Sequence, residues 1–215
     1  MIEVRRAAGR FETDQPGIRT YHCFSAGAHY DPDNVSLGPL VAVDEHRVAA
    51  GAGFDRHAHR GVCIVSWVLD GTLRHEDAAG HIVNLRPGRV LVQDAGRGIE
   101  HSERNASGTD PLRFVQMSLL GDGDEPRVLL ADLPLQTRAG QLTVHRTGAL
   151  RVDAPLAHLY VARGRFETGD DVLVEGDAVR ADEPLDVDGA GELLVWSLVD
   201  RRDEPVQGAE PPATS

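Results

Sequence analysis

An all-β fold of two barrels in tandem is predicted by three observations. Glycine (23) and proline (12) punctuate the chain at short intervals, apolar runs of strand length recur between them, and the order of those runs appears twice. Apolar residues make up 41% of the 215 positions, enough to bury a core in each half.

Between residues 37 and 120 the strand-like runs are LGPLVAV, VCIVSWVL, GTLRHED, HIVNL, RVLVQDA and LRFVQMSLL, each bounded by glycine, proline, aspartate or asparagine. Turn signals join them: Asp70-Gly71 links two runs, Ala79-Gly80 the next two, and Pro87-Gly88 precedes another. VCIVSWVL is apolar on both alternating sets, as expected of a strand covered on two sides. The segment LYVARGRFETGDDVLVEGDAVRADEP, 159–184, then repeats the order of WVLDGTLRHEDAAGHIVNLRPGRVLVQDA in shortened form, with Gly164 in the place of Gly71. Both copies close on an apolar strand, LRFVQMSLL and ELLVWSLV, and the match of four elements in order argues for duplication. The polar, turn-rich GDGDEP at 121–126 divides the chain into an N-terminal domain, 1–122, and a C-terminal domain, 123–200. RRDEPVQGAEPPATS, 201–215, has too little apolar content to pack and is expected to be a flexible tail.

A formal net charge of -12, with basic residues scattered singly or in pairs such as Arg5-Arg6, repels polyphosphate backbones and argues against direct nucleic-acid binding. The N-terminal MIEVRRAAGRFETD lacks an apolar signal segment, and no apolar run approaches the ~20 residues needed to cross a bilayer. A cytoplasmic location is expected, with Cys23 and Cys63 as free thiols.

FDRHAHRG supplies the first chemistry. Alternate strand residues share a face, so His57 and His59 can converge on one ion. AGRGIEHSERN repeats the spacing with His101 and Glu103 after a glycine-rich bend. Three imidazoles and a carboxylate suit a first-row divalent metal, and without thiolate they suit iron, manganese, nickel, copper or zinc about equally. His22, His29, His46, His81, His145 and His158 stand alone and read as surface or hydrogen-bonded residues. His75 and Asp77 are within reach of a ligand's outer nitrogen, although RHED reads more simply as an exposed hairpin pair. Phe54 fits a pocket mouth or the core, Trp67 the core, and Asn105 a structural place at the turn after the ligands.

GFDRHAHRG, WVLDGTLRHED, LRPGRV and AGRGIEHSERN closely resemble, in residues and order, stretches of the pirin family, a branch of the cupins. YHCFSAGAHYDPDNVSLGPLVAVDEHRVAAGAGF resembles the family's N-terminal region, so the likeness covers most of residues 1–120. The second half resembles its degraded second cupin. The resemblance implies tandem cupin β-barrels (a bicupin) with the second degenerate. It implies His57, His59, His101 and Glu103 as metal ligands and Fe(II) as the usual occupant; by its own chemistry Glu103 can serve also as proton acceptor. It implies quercetin 2,3-dioxygenase activity on a flavonol or similar aromatic enol with dioxygen, or alternatively an iron-bound, redox-responsive co-regulator that engages a protein partner without turnover. Cys63 departs from the pattern, because pirins usually carry glutamate there. Its even spacing from His57 and His59 predicts a thiol on their face, inside the barrel, packed as a small hydrophobe. In the second copy Leu150 and Val152 occupy the positions of His57 and His59, so a similar ion has no ligands there.

Overall fold

The computed structural model describes residues 1–121, 123 and 125–200; the expected tail lies outside them. Their alternating pattern folds into β1 (Ile2–Arg5), β2 (Phe11–Gln15), β3 (Ile18–His22), β4 (Leu40–Val48), β5 (Gly53–His59), β6 (Val62–Asp70), β7 (Leu73–Asp77), β8 (Ile82–Leu85), β9 (Val90–Asp94), β10 (Ile99–Asn105), β11 (Leu112–Leu120) and β12 (Arg127–Ala131). The second half adds β13 (Leu135–Thr137), β14 (Gly140–Thr147), β15 (Leu150–Val152), β16 (Leu156–Thr168), β17 (Asp171–Val174), β18 (Ala178–Ala181) and β19 (Leu185–Leu198). Among the described residues the only helix is a single 3-10 turn at Ala7–Gly9, and no helix is long and apolar enough to cross a membrane.

A seven-stranded sheet, β12-β9-β6-β11-β4-β3-β2, and a four-stranded sheet, β5-β10-β7-β8, make the first barrel. Val48, Val68, Leu91, Leu112 and Phe114 of the larger sheet pack inside it against Leu73 and Leu85 of the smaller. An eight-stranded sheet curls around a second apolar interior that includes Leu159, Val161, Phe166, Leu173 and Val179. A third apolar cluster joins the halves: Val65, Trp67, Leu69, Val115 and Met117 meet Leu142, Tyr160, Leu194 and Trp196. VCIVSWVL therefore is covered on both sides, Val68 facing its own barrel and Val65, Trp67 and Leu69 the neighbour. Trp67 is a core residue, and its Nε1 donates to Glu192 Oε2 at 3.1 Å.

The pairing crosses the boundary read at 121–126. Strand β1 joins the second barrel through β18, with Val4 opposite Val179, and β12 joins the first through β9, with Leu129 opposite Val92. Glu45 ties the halves further. Its buried carboxylate accepts from Tyr160 Oη at 2.5 Å, from Arg113 at 3.0 and 3.2 Å, and from Arg47 at 2.9 Å.

The second copy keeps the layout but not the ligands. Leu150 and Val152 pair with Val187 and Leu185 of β19, and these side chains fill that barrel's apolar interior. Gly164 matches Gly71 in its left-handed φ (+81° against +84°) but lies inside an unbroken β16. A Cβ at Gly164 would stand 2.7 Å from Gly191 Cα, so two facing glycines let this long hairpin bend without ending.

His158 is fully buried, its ring stacked on Phe24 at 5.6 Å. Burial first, then Arg180 and Arg5, push it down to about 3. The folded chain thus takes up this proton only near pH 3, whereas the unfolded chain takes it up near 6.5. Stability is complete above pH 6.5 and declines as pH falls toward 3, by up to ~1.4 kcal/mol per unit. Urea midpoints measured across that window are expected to fall, and to fall less steeply in His158→Leu; equal slopes would refute the assignment.

Candidate metal centre

Strands β5 and β10 bring the two histidine pairs together because they are antiparallel neighbours with His101 directly opposite His57. Ring centroids stand 4.8 Å apart for His57 and His59, 4.4 Å for His57 and His101, and 5.0 Å for His59 and His101. One candidate ligand atom from each of the three lies within 4.8 Å of the others. The register slips between His101 and Glu103, so that Glu103 faces Phe54 and β5 carries one extra residue. This bulge leaves the Asp55 carbonyl 2.7 Å from His57 Nδ1. A carbonyl only accepts, so Nδ1 holds the proton and the lone pair of His57 sits on Nε2.

His101 is oriented in the same manner. Its Nδ1 lies 3.1 Å from His75 Nδ1 in a buried contact, and its Nε2, like that of His59, is buried without a hydrogen-bond partner. Burial lowers His59, and it takes His101 down to about 4, so both are neutral at pH 7 with lone pairs to give. Stranded buried nitrogens are costly unless something accepts them. A divalent cation does so, and the donor set fits one.

Glu103 is 3% exposed. Its oxygens accept from Gln116 Nε2 at 3.2 and 3.0 Å, and Gln116 also donates to Ser66 Oγ at 3.2 Å. Burial alone would raise this carboxyl, but His75, His101 and Gln116 outweigh it and hold it at about 2. Glu103 forms a second group with His75 and His101, again within 4.8 Å, and His75 Nδ1 stands 3.9 Å from Glu103 Oε1. The four residues singled out by spacing thus fall in two triplets that share His101.

Two expectations are corrected. His75 and Asp77 are not an exposed pair; they are 1% and 8% exposed, because β7 turns its alternate residues Leu73, His75 and Asp77 into the barrel. His75 contacts His101, whereas Asp77 closes the hairpin turn, accepting from the backbone N–H of Ala79 and His81 at 2.9 and 3.0 Å. Cys63 does not share the face of His57 and His59. Gly61, at φ +65°, ends β5, and its N–H bonds to the Gly96 carbonyl at 3.0 Å. The alternation restarts on β6 and turns Cys63 toward the cluster between the halves. There, burial and Asp94 raise its thiol to about 11, so it is protonated at pH 7 and remote from the site's chemistry.

Phe54 packs against the barrel interior with its ring 6.4 Å from His57. Asn105 is structural: its amide donates to the carbonyls of Val48, Ala49 and Asp110, and its oxygen accepts from Ser107 N–H at 3.0 Å. Spacing gave no sign of Gln116 or Gln93. Gln93 is 2% exposed, and both its amide atoms are buried without partners. It shares a strand face with Leu91 of the barrel core and pairs with Ile64, next but one to Ser66. A cavity of about 550 Å³ reaches His75 and is lined by Val83, Ile99 and Val128 together with Asp77, His81, Glu100 and Arg127.

The pirin family model matches residues 2–119. A protein of Mycobacterium tuberculosis, provisionally named a quercetin 2,3-dioxygenase, is 37% identical over 92% of this chain and 95% of its own length. The quercetin 2,3-dioxygenase of Escherichia coli K12 is 33% identical over 59% of this chain and 56% of its own. Among solved structures, the bacterial pirin YhhW of Escherichia coli in complex with nickel(II) aligns with a TM-score of 0.76 at 23% identity, over 92% of this chain and 99% of its own. With that likeness, two tandem barrels and a histidine cluster in the first, the chain belongs to the pirin family.

Proposed function

We propose that the protein is a metal-dependent dioxygenase of flavonol-type substrates, with His57, His59, His101 and Glu103 holding Fe(II). The observation that carries this reading is the convergence of three imidazoles, two of them with buried, unpartnered Nε2 atoms, beside an anionic carboxylate. Bound there, the ion supplies Lewis acidity toward a substrate hydroxyl and open coordination positions for oxygen donors.

The chain's own residues do the rest. His75 and the Asp55 carbonyl fix the ring orientations of His101 and His57. Gln116 steers Glu103, whose low proton affinity would suit it to accept a proton only from an acidic hydroxyl. The cavity at His75 is large enough for a three-ring phenol, with apolar side chains and the charged Glu100 and Arg127 in its walls. Two free thiols accord with work in the cytoplasm.

Oxygen uptake by the Fe(II)-loaded protein tests the reading: quercetin should stimulate it and chelation should abolish it. No uptake with any flavonol or catechol overturns it.

A further inference from the structure

The cavity at His75 is bordered by none of His57, His59, His101 and Glu103, yet His57 and His59 are half-buried, not buried. Solvent therefore reaches the cluster by a second way. Following the strands outward from the apolar interior locates it. On β5 the inner face runs from Phe54 past the bulge to His57, and on β4 from Val48 through His46 to Asp44. The rings of Phe54 and His46 are 5.1 Å apart, and His46 lies 4.7 Å from Phe114, so Asp44 and His57 stand at the same end of the first barrel. Gln116 is the register partner of Asp44 on β11 and donates to Glu103. At this end Asp44, Gln116 and Ser118 are half-buried, whereas Val43, Val115 and Met117, of opposite parity, are buried between the halves.

Asp44 is held in place from the neighbouring strands. His22, its register partner on β3, donates from Nδ1 to Asp44 Oδ1 at 2.9 Å, and His22 Nε2 is bonded in turn to Thr13 Oγ1 of β2 at 2.9 Å. A carboxylate oxygen only accepts, so the Nδ1 proton of His22 fixes one side of Asp44. The other side is open. Oδ2 of Asp44 has no hydrogen-bond or ion-pair partner among the described residues, and unlike the stranded atoms of Gln93 and His46 it is not buried. The Asp44 side chain is 21% exposed. Because this side chain points inward, what it meets is whatever enters the barrel.

A phenolic hydroxyl is a good donor, and it gains most from a carboxylate acceptor whose position is already fixed. We propose that Asp44 is a specificity-determining residue: its Oδ2 accepts a hydrogen bond from a second hydroxyl of a polyphenol that lies in the open end of the first barrel with its first hydroxyl directed to the histidine cluster. His22 is a positioning residue that holds the carboxylate. The proposal rests on the dioxygenase reading and narrows its substrate class to flavonols that carry at least one further free hydroxyl. A site built to accept from a hydroxyl discriminates against the analogue that lacks it, since the acceptor then loses its water without gaining a donor.

The test is a calorimetric titration of the full-length, Fe(II)-loaded protein, kept anaerobic so that nothing turns over, with quercetin and with 3-hydroxyflavone, which keeps the metal-directed hydroxyl and lacks every other. Wild type should bind quercetin about tenfold or more tighter. Asp44→Asn keeps the volume and an acceptor for His22 but turns an amide N–H₂ toward the opening. It should weaken quercetin about tenfold or more, leave 3-hydroxyflavone unchanged and retain the metal. His22→Phe, which frees the carboxylate, should lose part of the preference; if Asp44→Asn fails to fold, it carries the comparison. Equal affinities of the two flavonols for wild type, or an undiminished preference for quercetin in the variant, overturn the proposal and leave the dioxygenase reading standing. If neither flavonol binds wild type, both fall.

Discussion

His101→Ala is expected to lose metal affinity by more than about 100-fold, since removing even a partner that orients a ligand costs 10- to 100-fold. His101 is the residue that both triplets share and the one whose ring touches His57, His59 and His75. Its removal breaks either arrangement of the ion, and any quercetin-dependent oxygen uptake should vanish with the metal. His75→Phe keeps the ring but takes away the partner of His101 Nδ1, so it should fall between His101→Ala and wild type in metal affinity. Equal affinity in His101→Ala and wild type, measured by competition with a chromogenic chelator, would remove this residue from the site.

Glu45→Ala is expected to destabilise the chain by about 3–5 kcal/mol, the range found when one partner of a buried ion pair is deleted. The side chain of Glu45 is fully buried, and its loss takes away the acceptor of the Tyr160 hydroxyl and leaves Arg113 only Glu175 and the Ala162 carbonyl. Glu45→Gln keeps the volume and one acceptor and should cost less. The same network sets an acid limit. Burial would raise the Glu45 carboxyl, but Arg113, Tyr160 and Arg47 bring it down to about 2. Its contribution is therefore whole above pH 4.5 and disappears as pH falls through about 2. Urea unfolding followed by tryptophan fluorescence measures both effects, Trp67 and Trp196 lying in the cluster that joins the halves. A loss under about 1 kcal/mol in Glu45→Ala would show that the halves do not depend on it.

What could be read in advance follows from the range of each signal. His-x-His and His-x-Glu were legible because a strand's period of two is local, and the pairing of β5 with β10 brings His57, His59 and His101 together. The doubly covered β6 and the turns at Gly71, Gly80 and Gly88, each with positive φ, were legible for the same reason. Cys63 was misplaced because parity was carried through Gly61, where the strand ends. His75 was misread because its burial depends on strands paired from elsewhere in the chain, as do Gln116 and Gln93. Glu45 gave no local sign at all; its partners Arg113 and Tyr160 are 68 and 115 residues away. The exchange of β1 and β12 between the barrels is likewise a long-range pairing that composition and turns do not encode.

The most direct measurement is elemental analysis of the full-length protein purified without added metal and then dialysed against Fe(II) under anaerobic conditions. About one transition-metal ion per chain is predicted, because the two candidate triplets share His101. A protein that retains none and takes up none would contradict the account, whatever its fold.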